Sequence, residues 1–397
     1  MSSVPAAASP ATPRLESVDL LRGLVMVVMA LDHTRDYFHF GTLHGLNPLD
    51  LDHASVPLFL TRWITHYCAP IFSFLAGTGV FLAMARGKSK AEMSRFLVTR
   101  GLWLVFLELT YVKWAWTFSL DPHFFAGAVI WVLGWSMVAL AALIHLPLWG
   151  VATFSLGMIF LHNALDGIKP ADLGAWSGVW KVLHVRGPVA LTPTITLRAG
   201  YSLIPWIGVM AAGYAFGAVY QWDAARRRAW LVRVGLACLA LFVVLRATNV
   251  YGNLLPRPPQ PTALRSVLAA LDCTKYPPSL SYLLMTLGPG LLLLAWFERG
   301  TPAWLKPALV FGRVPFLYYM LHLPLIHGLA YAWFRWQYGR ADFLGFLAQA
   351  EPPAGAGFSL LATYLVWAGV IVALYPVCRW FADYKRRHRD AAWLSYF

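Results

Sequence analysis

Apolar runs of about twenty residues recur along the whole chain, separated by short polar or basic stretches. A helix needs about 20 apolar residues to cross a bilayer core, and about ten runs meet that length. They are 18–38, 60–84, 95–116, 124–145, 147–165, 200–221, 230–247, 279–297, 311–334 and 357–381. His145-Leu146-Pro147 separates the fourth from the fifth, because proline breaks a helix. The expected fold class is therefore all-α: a polytopic integral membrane bundle with about ten transmembrane helices. Residues 1–13, rich in Ala, Pro and Ser, read as a disordered tail. Residues 14–397 read as one membrane domain, with no internal repeat. No small-residue cleavage site follows the first run before Asp32, so that run reads as a retained helix rather than a signal peptide.

Composition narrows the class further. Of 397 residues, 59% are hydrophobic and 13% charged, against about 25% charged in soluble domains. A soluble enzyme, a disordered chain, a collagen and a disulfide scaffold are excluded together. The net charge of +14 does not point to nucleic acid. Its basic residues cluster between apolar runs, as in Arg86-Lys88-Lys90-Arg95, Arg226-Arg227-Arg228-Arg233 and Lys385-Arg386-Arg387-Arg389. Such clusters mark cytoplasmic loops beside an anionic leaflet. The loop 38–58 has no Lys or Arg but holds His39, His44, Asp50, Asp52 and His53, so it is expected outside. Both termini then lie in the cytoplasm, and the protein is expected to be multi-pass in the inner (cytoplasmic) membrane. Cys68, Cys238, Cys273 and Cys378 are scattered without CxxC spacing, which supports neither zinc nor a disulfide framework. No metal site is expected.

Ionisable groups inside a span cost at least ~2.5–3.5 kcal/mol each on insertion scales, so each is a functional candidate. The first span is the densest, with Asp19, Arg22, Asp32, His33, Arg35 and Asp36. Arg22 and His33 are eleven residues apart. At about 100° per residue both project from one face, roughly 16 Å apart along the axis. A cation near the inner surface and an imidazole toward the outer one would suit a ligand with a charged head in the cytoplasm and a reactive end deep in the membrane. Arg22 snorkelling to lipid and His33 bonding a neighbouring helix is the plainer alternative. The third span begins with Arg95 and Arg100, either positive-inside anchors or ligand cations, and buries Glu108, whose expected partner is Lys113, Arg100 or a polar group on the first span. The ninth carries Arg313, Tyr318, Tyr319, His322 and His327, and Pro315 and Pro324 make it irregular; His322 is the cavity-lining candidate. Lys275 to Tyr282 reads as a Pro-set turn with a Ser N-cap. Gly77-Thr78-Gly79 reads as helix packing. There is no Walker A, no GxGxxG and no nucleophile elbow.

The residues Arg14-Leu-Glu-Ser-Val-Asp19-Leu-Leu-Arg22-Gly23, with His33 after ten intervening residues, resemble the first span of transmembrane acyltransferases. In the acyltransferase-3 branch an Arg is followed at that spacing by a catalytic His, which Arg22 and His33 match. With Ala69-Pro70-Ile-Phe-Ser-Phe-Leu-Ala-Gly77 in the second span and the closing stretch from Phe311 through Pro315 to His322, the whole chain resembles most the bacterial relatives of the heparan-alpha-glucosaminide N-acetyltransferase branch, and the acyltransferase-3 branch more distantly. In the heparan branch the catalytic His lies in the outward loop, where His53 is the best match, and the second-span acid falls on His66. The resemblance implies a transmembrane acyltransferase-like domain over 14–397. Its catalytic group would be His33 or His53, oriented by Asp32 or Asp52. Arg22, Arg95, Arg100 and Arg313 would hold the phosphates of cytoplasmic acetyl-CoA or another acyl-CoA, a co-substrate and not a resident cofactor. Glu108, His66 and His322 would face the acceptor, an extracytoplasmic glycan or lipid-linked hydroxyl or amine. The other expected partner is the lipid bilayer, and an oligomer is compatible. The alternative is a transporter or permease using the same buried His, Asp and Arg groups; a third is a non-catalytic envelope assembly protein.

Overall fold

The computed structural model describes residues 15–253, 260–345, 347–348, 350–388 and 391–396. The expected N-terminal tail, 1–13, lies outside the described residues. Twelve longer helices carry the architecture: α1 (Glu16–Phe38), α2 (Val56–Ile64), α3 (Cys68–Met84), α4 (Lys90–Leu107), α5 (Val129–Leu143), α6 (Leu148–Leu161), α7 (Leu203–Phe216), α8 (Ala224–Thr248), α9 (Leu280–Phe297), α10 (Lys306–Arg313), α11 (Pro315–Tyr338) and α12 (Leu360–Arg387).

Each of the expected apolar runs is built on one or two of these helices, so hydropathy located the elements. Six stretches are long and apolar enough to cross a membrane: Val56–Met84, Leu148–Leu165, Leu203–Gln221, Ala224–Thr248, Leu280–Phe297 and Leu360–Arg387. The bent pair α10–α11 makes a seventh. The other three runs differ for visible reasons. Charged residues interrupt α1 and α4, and α5 has only 15 residues. The all-α expectation also misses a small sheet of Phe124–Gly127, Thr196–Ala199 and Gly187–Ala190, the Thr196 strand in the middle, parallel to the first and antiparallel to the last. Residues 124–127, read as the start of a span, form its first strand, and α5 begins only at Val129.

Capping sets several helix starts. Ser89 and Glu92 form a reciprocal capping box on α4. Asp223 accepts from Arg226 N–H, so α8 begins ahead of its apolar run and takes in the arginines. Ser279 caps α9 through Tyr282 N–H, as the Pro-set turn implied. The ninth run is broken as its prolines suggested, but at one place only: α10 and α11 meet at 90° across Val314, ahead of Pro315, while Pro324 sits within a continuous α11.

At the centre lies α1, against α3, α9, α10, α11 and α12. By contrast, α8 and α12 bury only 22% and 17% of their apolar windows, which places them at the periphery. Close crossings replace the missing hydrophobic drive between helices in lipid. A Cβ on Gly77 would stand 1.9 Å from Met210 O, and one on Gly213 1.9 Å from Phe74 O, which bears out the packing role of Gly77. The α1–α10 crossing is as tight: a Cβ on Gly312 would lie 1.8 Å from Asp19 O. Backbone must move to admit a methyl there. Gly312→Ala is expected to destabilise by about 3 kcal/mol, the upper end for overpacking, read as a lowered melting temperature in detergent.

Candidate functional site

Two helices bring the central pair together. His33 projects from α1 and His322 from α11, and His33 Nδ1 lies 2.9 Å from His322 Nε2. The rings are nearly parallel, inclined by only 17°, with centroids 4.9 Å apart. His322 Nδ1 lies 3.0 Å from Tyr318 O. A carbonyl only accepts, so His322 Nδ1 is the donor. In the neutral pair His322 Nε2 then accepts, His33 Nδ1 donates, and His33 Nε2 carries a free lone pair. That nitrogen has no partner among the described residues. His33 keeps 9% of its surface exposed where His322 has none. Trp116 packs edge-on at 4.7 Å and limits the ring's rotation.

Below this pair lies a cavity of about 330 Å³. Its lower wall carries five cations: Arg22, Lys88, Arg100, Arg313 and Lys385. No carboxylate is among the described residues that line it. Its upper wall is apolar, reaching Met29, one turn before His33 on α1, and Tyr319, whose ring centroid is 5.5 Å from that of His322. Arg22 is steadied by Asp19 at 3.3 Å and Gly312 O at 3.4 Å, the second contact made possible by the tight glycine crossing. Arg100 lies over the rings of Phe96 and Phe316, 5.9 and 5.7 Å from their centroids.

The other expected site residues fall in different places. Asp32 does not orient His33; it is held by Arg62 at 2.6 Å, Arg35 at 2.7 Å and the Thr65 hydroxyl at 2.8 Å. Successive residues of a helix diverge by about 100°, which turns Asp32 away from the imidazole. Glu108 pairs with no cation among the described residues: its Oε2 accepts the N–H groups of Ile130 and Trp131 at 2.9 and 3.0 Å, where the helix dipole of α5 is positive. A π-helical turn, Glu108–Val112, directs it there. Lys113 instead donates to Asp121 O. Arg95 is exposed and outside the cavity lining. His66 is fully buried in a short 3-10 turn, with both ring nitrogens unpartnered. His53 stands on the exposed loop, 73% accessible and 2.8 Å from Asp50, whose carboxyl that contact holds below the usual range. Asp52, 82% accessible, faces Arg265 at 3.7 Å. No group of three or more possible metal ligands forms among the described residues.

Sequence reasoning missed Lys88 and Lys385 as site residues, since both sit in clusters that read as membrane anchors. It missed Arg62 because no spacing rule links α2 to Asp32.

A family model for the acyltransferase domain of the acyltransferase-3 type matches residues 15–378. The chain belongs to the acyltransferase-3 family. No curated protein matches it. Membership makes the chain a membrane acyltransferase in general terms, and the match runs from α1 well into α12, taking in both histidines of the central pair. The match is to the acyltransferase-3 branch, the more distant of the two resemblances in the sequence and the one in which Arg22 and His33 carry the motif, rather than to the heparan branch that the whole chain resembled most.

Proposed function

We propose that this acyltransferase takes its acyl group from a CoA thioester held in the cation-lined cavity and passes it to a hydroxyl or amine acceptor arriving from the opposite side. One observation carries the reading: five cations at one end of a cavity whose apolar other end stops beneath the His33–His322 pair. A ligand with phosphates at one end and an extended apolar arm at the other suits that polarity, and the volume is within the range of ligand pockets, about 300–1,000 Å³. Arg22, Lys88, Arg100, Arg313 and Lys385 hold the phosphates; the arm runs up toward Met29 and Tyr319.

His33 Nε2 is the base. It takes the proton from the acceptor O–H or N–H as the oxygen or nitrogen attacks the thioester carbonyl. The C–S bond then breaks, and the departing CoA sulfur takes the proton back from His33, which returns to its neutral form. His322 acts through His33: tied to Tyr318 O, it fixes the tautomer and the ring plane, the part a carboxylate plays in other triads. The exposed His53 stands apart from this arrangement, which favours His33 as base. The acyl group is acetyl or a longer chain, and the acceptor a glycan or a lipid-linked group. To this reading belong the expected ten or so spans with both termini cytoplasmic, an orientation that would put the basic clusters and the cavity mouth on the inner side of the inner membrane.

The test of the donor is CoA binding. Isothermal titration of the purified protein should show saturable CoA binding. Arg100→Gln should weaken it about tenfold and flatten its salt dependence. No CoA binding, or equal affinity in the variant, refutes the donor assignment.

A further inference from the structure

On the other side of the His33–His322 pair, positive charge exceeds the carboxylates that face it. Asp32 is shared between Arg35 and Arg62, and Asp36 closes on Arg35 at 2.6 Å. These two guanidiniums and two carboxylates balance. Lys275 does not. It is 9% exposed and lies within electrostatic reach of Asp32, His33 and His66. Its ammonium makes no hydrogen bond or ion pair among the described residues and lies only over the ring of Tyr276, 5.3 Å from the centroid. Its Nζ is not sealed from solvent, so an anion can reach it. The buried ring of His66, with both nitrogens unpartnered, adds a second unmet polar demand.

The loop that presents Lys275 is rigidly built. Asn253 Oδ1 accepts the Thr274 N–H at 2.6 Å and the Ser279 hydroxyl at 3.1 Å. Ser279 N–H returns to Thr274 O at 2.9 Å, and Asn163 Oδ1 holds Leu280 N–H at 2.8 Å. So the backbone that presents Lys275 is held in place. Outside it, the exposed Arg186 lies over Tyr276, 4.9 Å from the ring centroid, extending the positive field toward solvent.

We infer that the acceptor is an anion: a carboxylate or phosphate group on it seats on Lys275 beside Arg62 and His66, and this seating brings the acceptor's hydroxyl or amine to His33. The inference rests on the acyl-transfer reading and names the acceptor class for it.

Its test is anion binding by the full chain in phosphatidylcholine nanodiscs, titrated with orthophosphate, acetate and glucose. Orthophosphate or acetate should saturate a site that Lys275→Gln weakens at least about tenfold, equivalent to ~1.4 kcal/mol. Lys275→Arg should keep the affinity of that site within about threefold; Arg100→Gln should weaken only the phosphate that the donor cavity takes up and leave the Lys275 site unchanged. His66→Gln supplies an independent variant, expected to weaken binding about threefold or more. Glucose should show no saturable binding. Phosphatidylglycerol added to the nanodiscs separates two sources of the same chemistry: displacement of orthophosphate assigns a lipid-borne anion, and no displacement a soluble one. Equal binding by the wild type, Lys275→Gln and His66→Gln overturns the inference, as does a loss in Arg100→Gln without one in Lys275→Gln. Because CoA is titrated separately, failure to bind CoA strikes the donor reading and leaves the anion site standing.

Discussion

His33→Ala should lower the rate of acyl transfer by about 10²–10⁴-fold, the usual contribution of a positioned general base, while CoA affinity stays within about twofold. The ring lies above the cavity rather than among its cations, so removing it takes away proton transfer and little of the donor's binding surface. The companion variant separates the two histidines. His322→Ala leaves the base in place but removes the acceptor of its Nδ1–H, so a smaller loss, about 10–100-fold, is expected. His322→Gln should restore part of it, because its longer side chain brings the amide oxygen to about the place of Nε2, where it can accept that hydrogen bond. His53→Ala, on the exposed loop, should stay within about threefold of wild type. Single-turnover assays with an acyl-CoA and an acceptor read all of these. Full activity in His33→Ala would remove the imidazole from the chemistry, and loss of activity in His53→Ala alone would move the base to the loop.

The second large effect concerns folding rather than turnover. Asp32→Ala leaves Arg62 and Arg35 buried without the carboxylate they share, and breaking a buried pair in this way costs about 3–5 kcal/mol. Arg35 retains Asp36, whereas Arg62 retains no carboxylate among the described residues. The expected result is a protein that melts well below wild type or fails to leave the membrane folded. Asp32→Asn keeps the shape and one acceptor oxygen and should be milder. If Asp32 instead acted on the imidazole, Asp32→Asn would fold like wild type and lose rate. Thermal melts beside kinetics decide between these outcomes.

Asp32 and His33, adjacent in the sequence, have separate partners, and the difference shows what a linear reading reaches. Arg22 and His33 were legible because both belong to one helix, whose period fixes their common face. The helical segments were legible because lipid selects for uninterrupted apolar length. Contacts between helices were not. That His322 meets His33, and that Arg62 meets Asp32, depends on how α11 and α2 are rotated against α1, which spacing within one segment does not encode. Glu108 shows a second limit. A search for its partner among side chains looks for a cation, whereas the partner is backbone N–H at the start of α5, a group every residue but proline carries. Lys88 and Lys385 show a third, since a lysine lining a cavity and one facing lipid phosphate obey the same compositional rule.

The distance along the chain between His33 and His322 has a further bearing on biosynthesis. The two are 289 positions apart, and synthesis proceeds at about 5–20 residues per second, so α1 emerges from the ribosome roughly 15–60 s before its partner exists. Throughout that interval the nascent first helix, with its Asp, Arg and His side chains, must be accommodated by the insertion machinery or by provisional neighbours, and a polypeptide released before α11 would carry the motif arginine and histidine of α1 yet hold no completed reaction centre.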